Sequence, residues 1–221
     1  PDLTHGKPHF DDAVAGEVKM VAERAGLLDL TGFTRFELSG EAASDWLDGM
    51  ITGALPREGR VSLAYFCNES GGVVTEMTLT RLSQNRFWLI GPAAGYWHDR
   101  DWLQQHMPDD GSVVLEDVTA RFGTLVLAGP LSRDILAMVA EQDLSNENLP
   151  WLGAAPITIG MARGLVLRVN YVGELGYELH LPMECMNSVH GQLLQAGEAQ
   201  GIGHFGMYAM DSMRLEKGYR G

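Results

Sequence analysis

Three segments of the sequence place chemistry-bearing side chains where they could be used. In Gly71-Gly72-Val73-Val74-Thr75-Glu76-Met77-Thr78-Leu79-Thr80, a period of two sets Val73, Met77 and Leu79 on one side of a strand. Val74, Glu76, Thr78 and Thr80 then take the other. Glu76 is a single carboxylate on a mixed face, after a double glycine that lets backbone or ligand come close. On this segment alone a solvated strand face is the better reading. In Asn170-Tyr171-Val172-Gly173-Glu174-Leu175-Gly176-Tyr177-Glu178-Leu179, two glycines bracket Glu174 between strand-like runs, the pattern of a hairpin or bulged turn. A carboxylate projected from a rigid turn suits a ligand with two adjacent N–H donors, since its two oxygens can accept both. An exposed turn glutamate is an equal reading. The third segment is a terminal helix from Met207 to Lys217, with Met207, Met210, Arg214 and Lys217 on one face and Tyr208, Ser212 and Leu215 on another. Arg214 could bind a ligand anion, pair with a buried carboxylate, or snorkel from an amphipathic helix.

Other chemistries lack their motifs. No GxxxxGK[ST], no GxGxxG opening a helix after a strand, no HExxH and no GxSxG occurs. His5 and His9 are four apart, but in a leader with Pro and Gly that does not favour the helix a metal pair would need, so no metal is expected. Cys67 has no cationic neighbour in sequence to activate it and reads as a small buried hydrophobe. With Cys185 it forms neither a CxxC pair nor a disulfide framework, which fits a reducing compartment; the cytoplasm is the expected one.

The elements that must position these residues fit a chain of 221 residues, one large domain or two small ones. Apolar residues at 45% and charged residues at 20% describe an ordinary globular protein. No apolar run approaches a membrane span. The formal charge of −13 repels phosphate backbones, so nucleic acid is not expected as a partner.

The chain also repeats itself. Phe33-Thr34-Arg35-Phe36-Glu37-Leu38-Ser39-Gly40 matches Phe122-Gly123-Thr124-Leu125-Val126-Leu127-Ala128-Gly129, and Phe87, Leu89, Pro92 and Leu103 match Tyr177, Leu179, Pro182 and Leu193. Both offsets are close to 90 residues, which suggests a duplicated unit. The plainer reading is that strand–Gly–helix junctions resemble one another anyway. Each unit reads strand, helix, several strands, helix. Strands are predicted at 33–38, 61–66, 73–80 and 87–90, with helices over Glu41–Ile51 and Tyr96–His106. The second unit has strands at 122–128, 157–160, 164–170 and 177–181, a helix from Ser132 and another over Glu184–Ala196. Residues 141–156 read as a connection, and Val14, Val18, Val21 and Ala25 form an N-terminal helix begun by Asp11 or Asp12. Strands that neighbour one another, with helices between the groups, argue α+β rather than a parallel sheet. The expected division is 1–26 as leader and N-terminal helix, 27–116 as the first unit, and 117–221 as the second with the terminal helix.

Gly26-Leu27-Leu28-Asp29-Leu30-Thr31, Asn68-Glu69-Ser70-Gly71-Gly72 leading to Glu76, the Tyr171 to Leu179 segment, and Arg214-Leu215-Glu216 occur in this order. Together they resemble the folate-binding aminomethyltransferase family, which includes the glycine-cleavage T-protein and the folate domains of dimethylglycine and sarcosine dehydrogenases. The resemblance runs from about Phe10 to Gly221. The ending Tyr208-Ala209-Met210-Asp211-Ser212-Met213-Arg214-Leu215-Glu216-Lys217 looks more like the dehydrogenase branch. The resemblance implies an α+β fold of duplicated, intertwined antiparallel-sheet subdomains with helices on one face and tetrahydrofolate bound between them. It also implies that the family's C-terminal β-rich domain is absent here. Glu76 falls on the carboxylate that assists catalysis, where the T-protein has aspartate, and Glu174 on the pterin-holding glutamate. Arg214 matches the terminal-motif arginine, and Tyr96 and Trp97 lie where the family lines the path of the folate tail.

The implied activity is one-carbon transfer from a methylated amine or glycine-derived donor to tetrahydrofolate, giving 5,10-methylenetetrahydrofolate. The alternatives are a demethylase acting on a methylated amine or sulfonium compound to make 5-methyltetrahydrofolate, and a folate-binding module without catalysis. The sequence has no flavin fingerprint, so an oxidative step would need a flavin dehydrogenase domain or subunit as partner.

Overall fold

The computed structural model describes residues 6–220. Of the two leader histidines, His5 lies outside that range. The chain divides into two compact units. One is continuous over 31–123 and adds 152–155; the other is made of the N-terminal residues to Leu30, Thr124–Trp151 and Pro156 onward.

The first unit is a five-stranded sheet: β2 (Thr34–Ser39), β3 (Arg60–Cys67), β4 (Val73–Ser83), β5 (Arg86–Gly91) and β6 (Val114–Asp117), in the order β3-β4-β5-β2-β6. The four pairings are antiparallel. Alternation sends Phe36, Leu38, Ala64, Phe66, Met77, Leu79, Phe87 and Leu89 to one face. There they bury against Ala43 and Leu47 of helix α2 (Ala43–Met50) and Leu103 of α3 (Tyr96–His106). Helices α2 and α3 therefore cover the face of this sheet that carries Phe36, Phe66 and Leu79, while Val61, Trp88 and Ile90 are buried on the other face.

The second unit is a six-stranded sheet: β1 (Gly26–Asp29), β7 (Phe122–Ala128), β8 (Ala154–Ile159), β9 (Ala162–Leu167), β10 (Gly176–Pro182) and β11 (Gly203–His204), in the order β11-β1-β7-β10-β9-β8. Helices α4 (Ser132–Ala137) and α5 (Met186–Gly197) belong to it. Helix α1 (Asp11–Glu23) and the terminal helix α6 (Met207–Glu216) complete it. Leu28, Val126 and Ala128 bury with Val21 of α1 and with Ala209, Met210 and Met213 of α6. The buried stripe of α6 is thus Ala209, Met210 and Met213; Met207, expected on that face, is exposed. Asp11 and Asp12 lie in the first turn of α1, where negative charge complements the helix dipole, and Phe10 holds the cap position.

The element order β2-α2-β3-β4-β5-α3 repeats as β7-α4-β8-β9-β10-α5, and the sheet order repeats with it. One step differs from a simple tandem. Strand β1 precedes β2 in sequence yet pairs antiparallel with β7, while β6 precedes β7 yet pairs antiparallel with β2. Each copy's leading strand completes the other copy's sheet. Gly40 and Gly129, matched in the sequence repeat, have φ of +123° and +122°. A Cβ at Gly40 would meet the Ser112 carbonyl oxygen at 2.2 Å; at Gly129 it would meet that of Arg24 at 2.5 Å. Both glycines therefore pack against the backbone that leads into the exchanged strand. Strands β1 and β6, four residues each, were not among the expected strands; β8 begins at Ala154, inside the expected connection.

Candidate functional site

Glu174 sits on the turn between β9 and β10, and Asn170 shapes that turn. The Asn170 side-chain oxygen accepts from the backbone N–H of Val172 (2.9 Å) and Gly173 (3.0 Å), and its amide donates to the Glu174 carbonyl at 2.7 Å. The Leu175 carbonyl accepts from Gly129 N–H at 2.7 Å and from the Ser132 hydroxyl at 3.3 Å, tying the turn to the β7–α4 junction. These hydrogen bonds hold the turn around Glu174, so its carboxylate projects from a rigid base. Oε1 pairs with Lys217 Nζ at 3.0 Å. The hydrogen bond to Glu174, and then the charge of that carboxylate, hold the Lys217 ammonium above the usual lysine range.

Arg214 comes to the same place from α6. Its Nε donates to Asp211 Oδ1 at 2.6 Å and its terminal N–H to the Tyr219 carbonyl at 3.1 Å. The guanidinium lies 5.8 Å from the centroid of Tyr171, which stacks on Tyr219 at 5.8 Å with the rings 8° apart. Glu174 and Arg214, far apart in sequence, are thus brought together. Tyr171, Lys217 and Tyr219 join them, and none of the three was assigned a site role from sequence. Tyr171 stood in the quoted motif and Lys217 on the quoted helix face, so both carried a signal; Tyr219, past the helix, carried none.

The other expected residues lie on the five-stranded unit. Glu76 is opposite Tyr65 on the face of β4 away from Met77 and Leu79. It is exposed, and its carboxylate takes no hydrogen bond or ion pair among the described residues. Val73, expected beside Met77, is exposed, because the pairing slips at Phe66/Cys67.

Tyr96 begins α3 on the helix-covered face: its ring packs against Phe36 and its hydroxyl donates to Asp117 Oδ2 at 2.6 Å. That bond, with burial adding to it, raises the Tyr96 pKa. Burial pushes Asp117 upward, but donors from Tyr96 and Thr119 outweigh it and leave the carboxyl below its ordinary value. Trp97 is 66% exposed, with Arg100 over its ring. Thr78 pairs with Ile90, so Glu76 lies just past the end of β5, at the same end of the sheet as α3 begins. Glu76 and the Tyr96/Trp97 pair share that end and occupy opposite faces of it.

Comparisons with known proteins agree with this architecture. The GCVT N-terminal domain matches residues 4–221. Mitochondrial dimethylglycine dehydrogenase of Mus musculus is 31% identical over 97% of this chain and 25% of its own length. An aminomethyltransferase of Chlorobaculum tepidum is 33% identical over 93% of this chain and 57% of its own. The crystal structure of the glycine cleavage system aminomethyltransferase T from Bartonella henselae superposes with a TM-score of 0.80 at 26% identity, covering 93% of this chain and 54% of that one. The chain spans about a quarter of the dehydrogenase and just over half of the aminomethyltransferases. No helix among the described residues is long and apolar enough to cross a membrane. A carboxylate on a clamped turn, a duplicated α+β fold with exchanged strands and a family match over nearly the whole length lead to one conclusion: the chain belongs to the GCVT N-terminal domain family and is an aminomethyltransferase-like domain.

Proposed function

We propose that this domain binds tetrahydrofolate through Glu174 and supports transfer of a one-carbon group from a methylated amine or glycine-derived donor. The observation that carries the reading is the Glu174 carboxylate on its Asn170-clamped turn, a turn that also carries Tyr171 of the Tyr171–Tyr219 stack. The 2-amino group and N3–H of a pterin form a paired donor edge, which a two-oxygen acceptor matches. The aromatic rings beside it suit a flat heterocycle. Bound tetrahydrofolate would supply the nitrogens that accept the one-carbon unit, and the domain's main contribution is then positioning, worth up to several kcal/mol. Arg214, held by Asp211 and Tyr219, acts from beneath the aromatic pair rather than as an open anion site. Glu76 would hold the developing cation of the donor and take its proton, and Trp97 offers an exposed ring to the tail.

Glu76 is exposed and unpartnered among the described residues, which favours a second reading: a folate-binding module without catalysis. A flavin dehydrogenase domain or subunit would supply the donor oxidised to the iminium level.

Thermal shift and calorimetry with tetrahydrofolate and its 5-formyl derivative test the reading. Ligand at 100 times its Kd is expected to add about 2.7 kcal/mol of stability, and Glu174→Gln to remove that gain. No shift at saturation overturns folate binding. Product analysis then separates 5,10-methylene from 5-methyltetrahydrofolate. Transfer unaffected by Glu76→Gln removes Glu76 from catalysis.

A further inference from the structure

Two cations end α6, and they are used differently. Arg214 is taken up by Asp211, by the Tyr219 carbonyl and by the ring of Tyr171. Lys217, one turn later, crosses the Glu174 turn instead. Gly173 makes the crossing possible: its φ is +78°, and a Cβ there would lie 2.2 Å from Lys217 Cγ and 2.9 Å from Cδ. The lysine stem therefore lies directly on the glycine, and its ammonium reaches one oxygen of Glu174, Oε1, at 3.0 Å.

A carboxylate offers about four lone-pair sites over two oxygens, so one ammonium contact leaves room for two further donors. A glutamate side chain otherwise samples several rotamers, and fixing it only when ligand arrives weakens binding. From the contact at Oε1 and the glycine seat, we propose that Lys217 is a positioning residue for this site. It holds the Glu174 carboxylate in a set orientation, with its second oxygen directed to a planar heterocycle bearing adjacent N–H donors. The proposal rests on the folate reading above and goes further: it assigns the dehydrogenase-like ending of the chain a part in ligand recognition.

Binding of 5-formyltetrahydrofolate to the full chain, measured by calorimetry, tests it. Lys217→Met is expected to bind about tenfold more weakly, Lys217→Arg close to the parent, and Lys217→Met added to Glu174→Gln to cause no further loss. Both lysine variants should unfold within a few degrees of the parent, because the pair is partly exposed. Lys217→Met binding as tightly as the parent, or more tightly, overturns the proposal; tighter binding would mean that the ammonium competes with the ligand. Failure of the parent chain to bind, or unchanged binding by Glu174→Gln, instead overturns the folate reading itself. Rescue by arginine is the outcome that a purely structural contact does not produce.

Discussion

Glu37 illustrates what one carboxylate can do when both of its oxygens accept hydrogen bonds. Arg86 grips it with two N–H groups at 2.8 Å each, and the Trp88 indole donates to it at 2.9 Å. Burial raises its pKa, but the hydrogen bonds from Arg86 and Trp88 outweigh that effect and leave it below the usual glutamate value. A carboxyl with a depressed folded-state pKa contributes stability above its unfolded value, near 4.3, and loses that contribution as pH falls through the folded value. Glu37→Gln is therefore expected to cost about 1–2 kcal/mol at neutral pH and to flatten the acid limb of the stability curve below about pH 4.3. Urea titrations at pH 7 and pH 3 check both; equal losses at the two values would refute the account. Glu76, by contrast, has no such partners among the described residues; in sequence it stood on a strand face with Val74, Thr78 and Thr80. The turn that carries Glu174 was legible because glycines and a carboxylate sit together in one short segment. The helix face that carries Lys217 was legible too, but its seat on Gly173 was not, because that contact spans more than forty residues and depends on the side chain that glycine lacks.

At the scale of elements, the junctions after β2 and β7 behave as two copies of one device. In each, a glycine with φ near +122° turns the strand into a helix. Ala42 N–H donates to the Ser112 carbonyl and Leu131 N–H to that of Arg24, both close to 3.0 Å. Substituting alanine at Gly40 or Gly129 costs about 1–3 kcal/mol for the positive φ alone, and the Cβ would also press into a carbonyl oxygen. Similar losses at both sites, read from thermal melts, are expected; a neutral result at either would break the equivalence. The long strands and helices were readable from periodicity, since six to eleven residues show an alternation that four do not. Strands β1 and β6 escaped for that reason. Gly-Leu-Leu-Asp and Val-Leu-Glu-Asp are too short to show a period, and both leucines of β1 are buried, on opposite faces of its sheet.

For the whole molecule, the repeat visible in sequence and the compact units visible in space are different partitions of one chain. The repeat was legible because helix-entry glycines and core leucines recur at matched positions. The exchange was not, because nothing local in a strand says which sheet it will complete. The five-stranded unit has all its strands and its core between residues 31 and 123. A fragment of 31–123 is expected to unfold cooperatively, while 31–110, which lacks β6, leaves the edge of β2 unpaired and should not. Circular dichroism melts of the two fragments distinguish them.

Exchange of the leading strands also sets an order in time. Leu27 pairs with Leu127, a partner about a hundred residues away, and contacts of such sequence separation form slowly. The chain between them is the unit that can complete itself first. Once it has folded, its two ends are already near each other, and Leu30 N–H can meet the Thr124 carbonyl at 2.9 Å without a long loop having to be closed by chance. During synthesis β1 emerges before β7, and Leu27 and Leu28 stay unpaired until β7 has left the ribosome. The interval in which that short apolar strand has no partner is the window in which this protein is most exposed to misassembly.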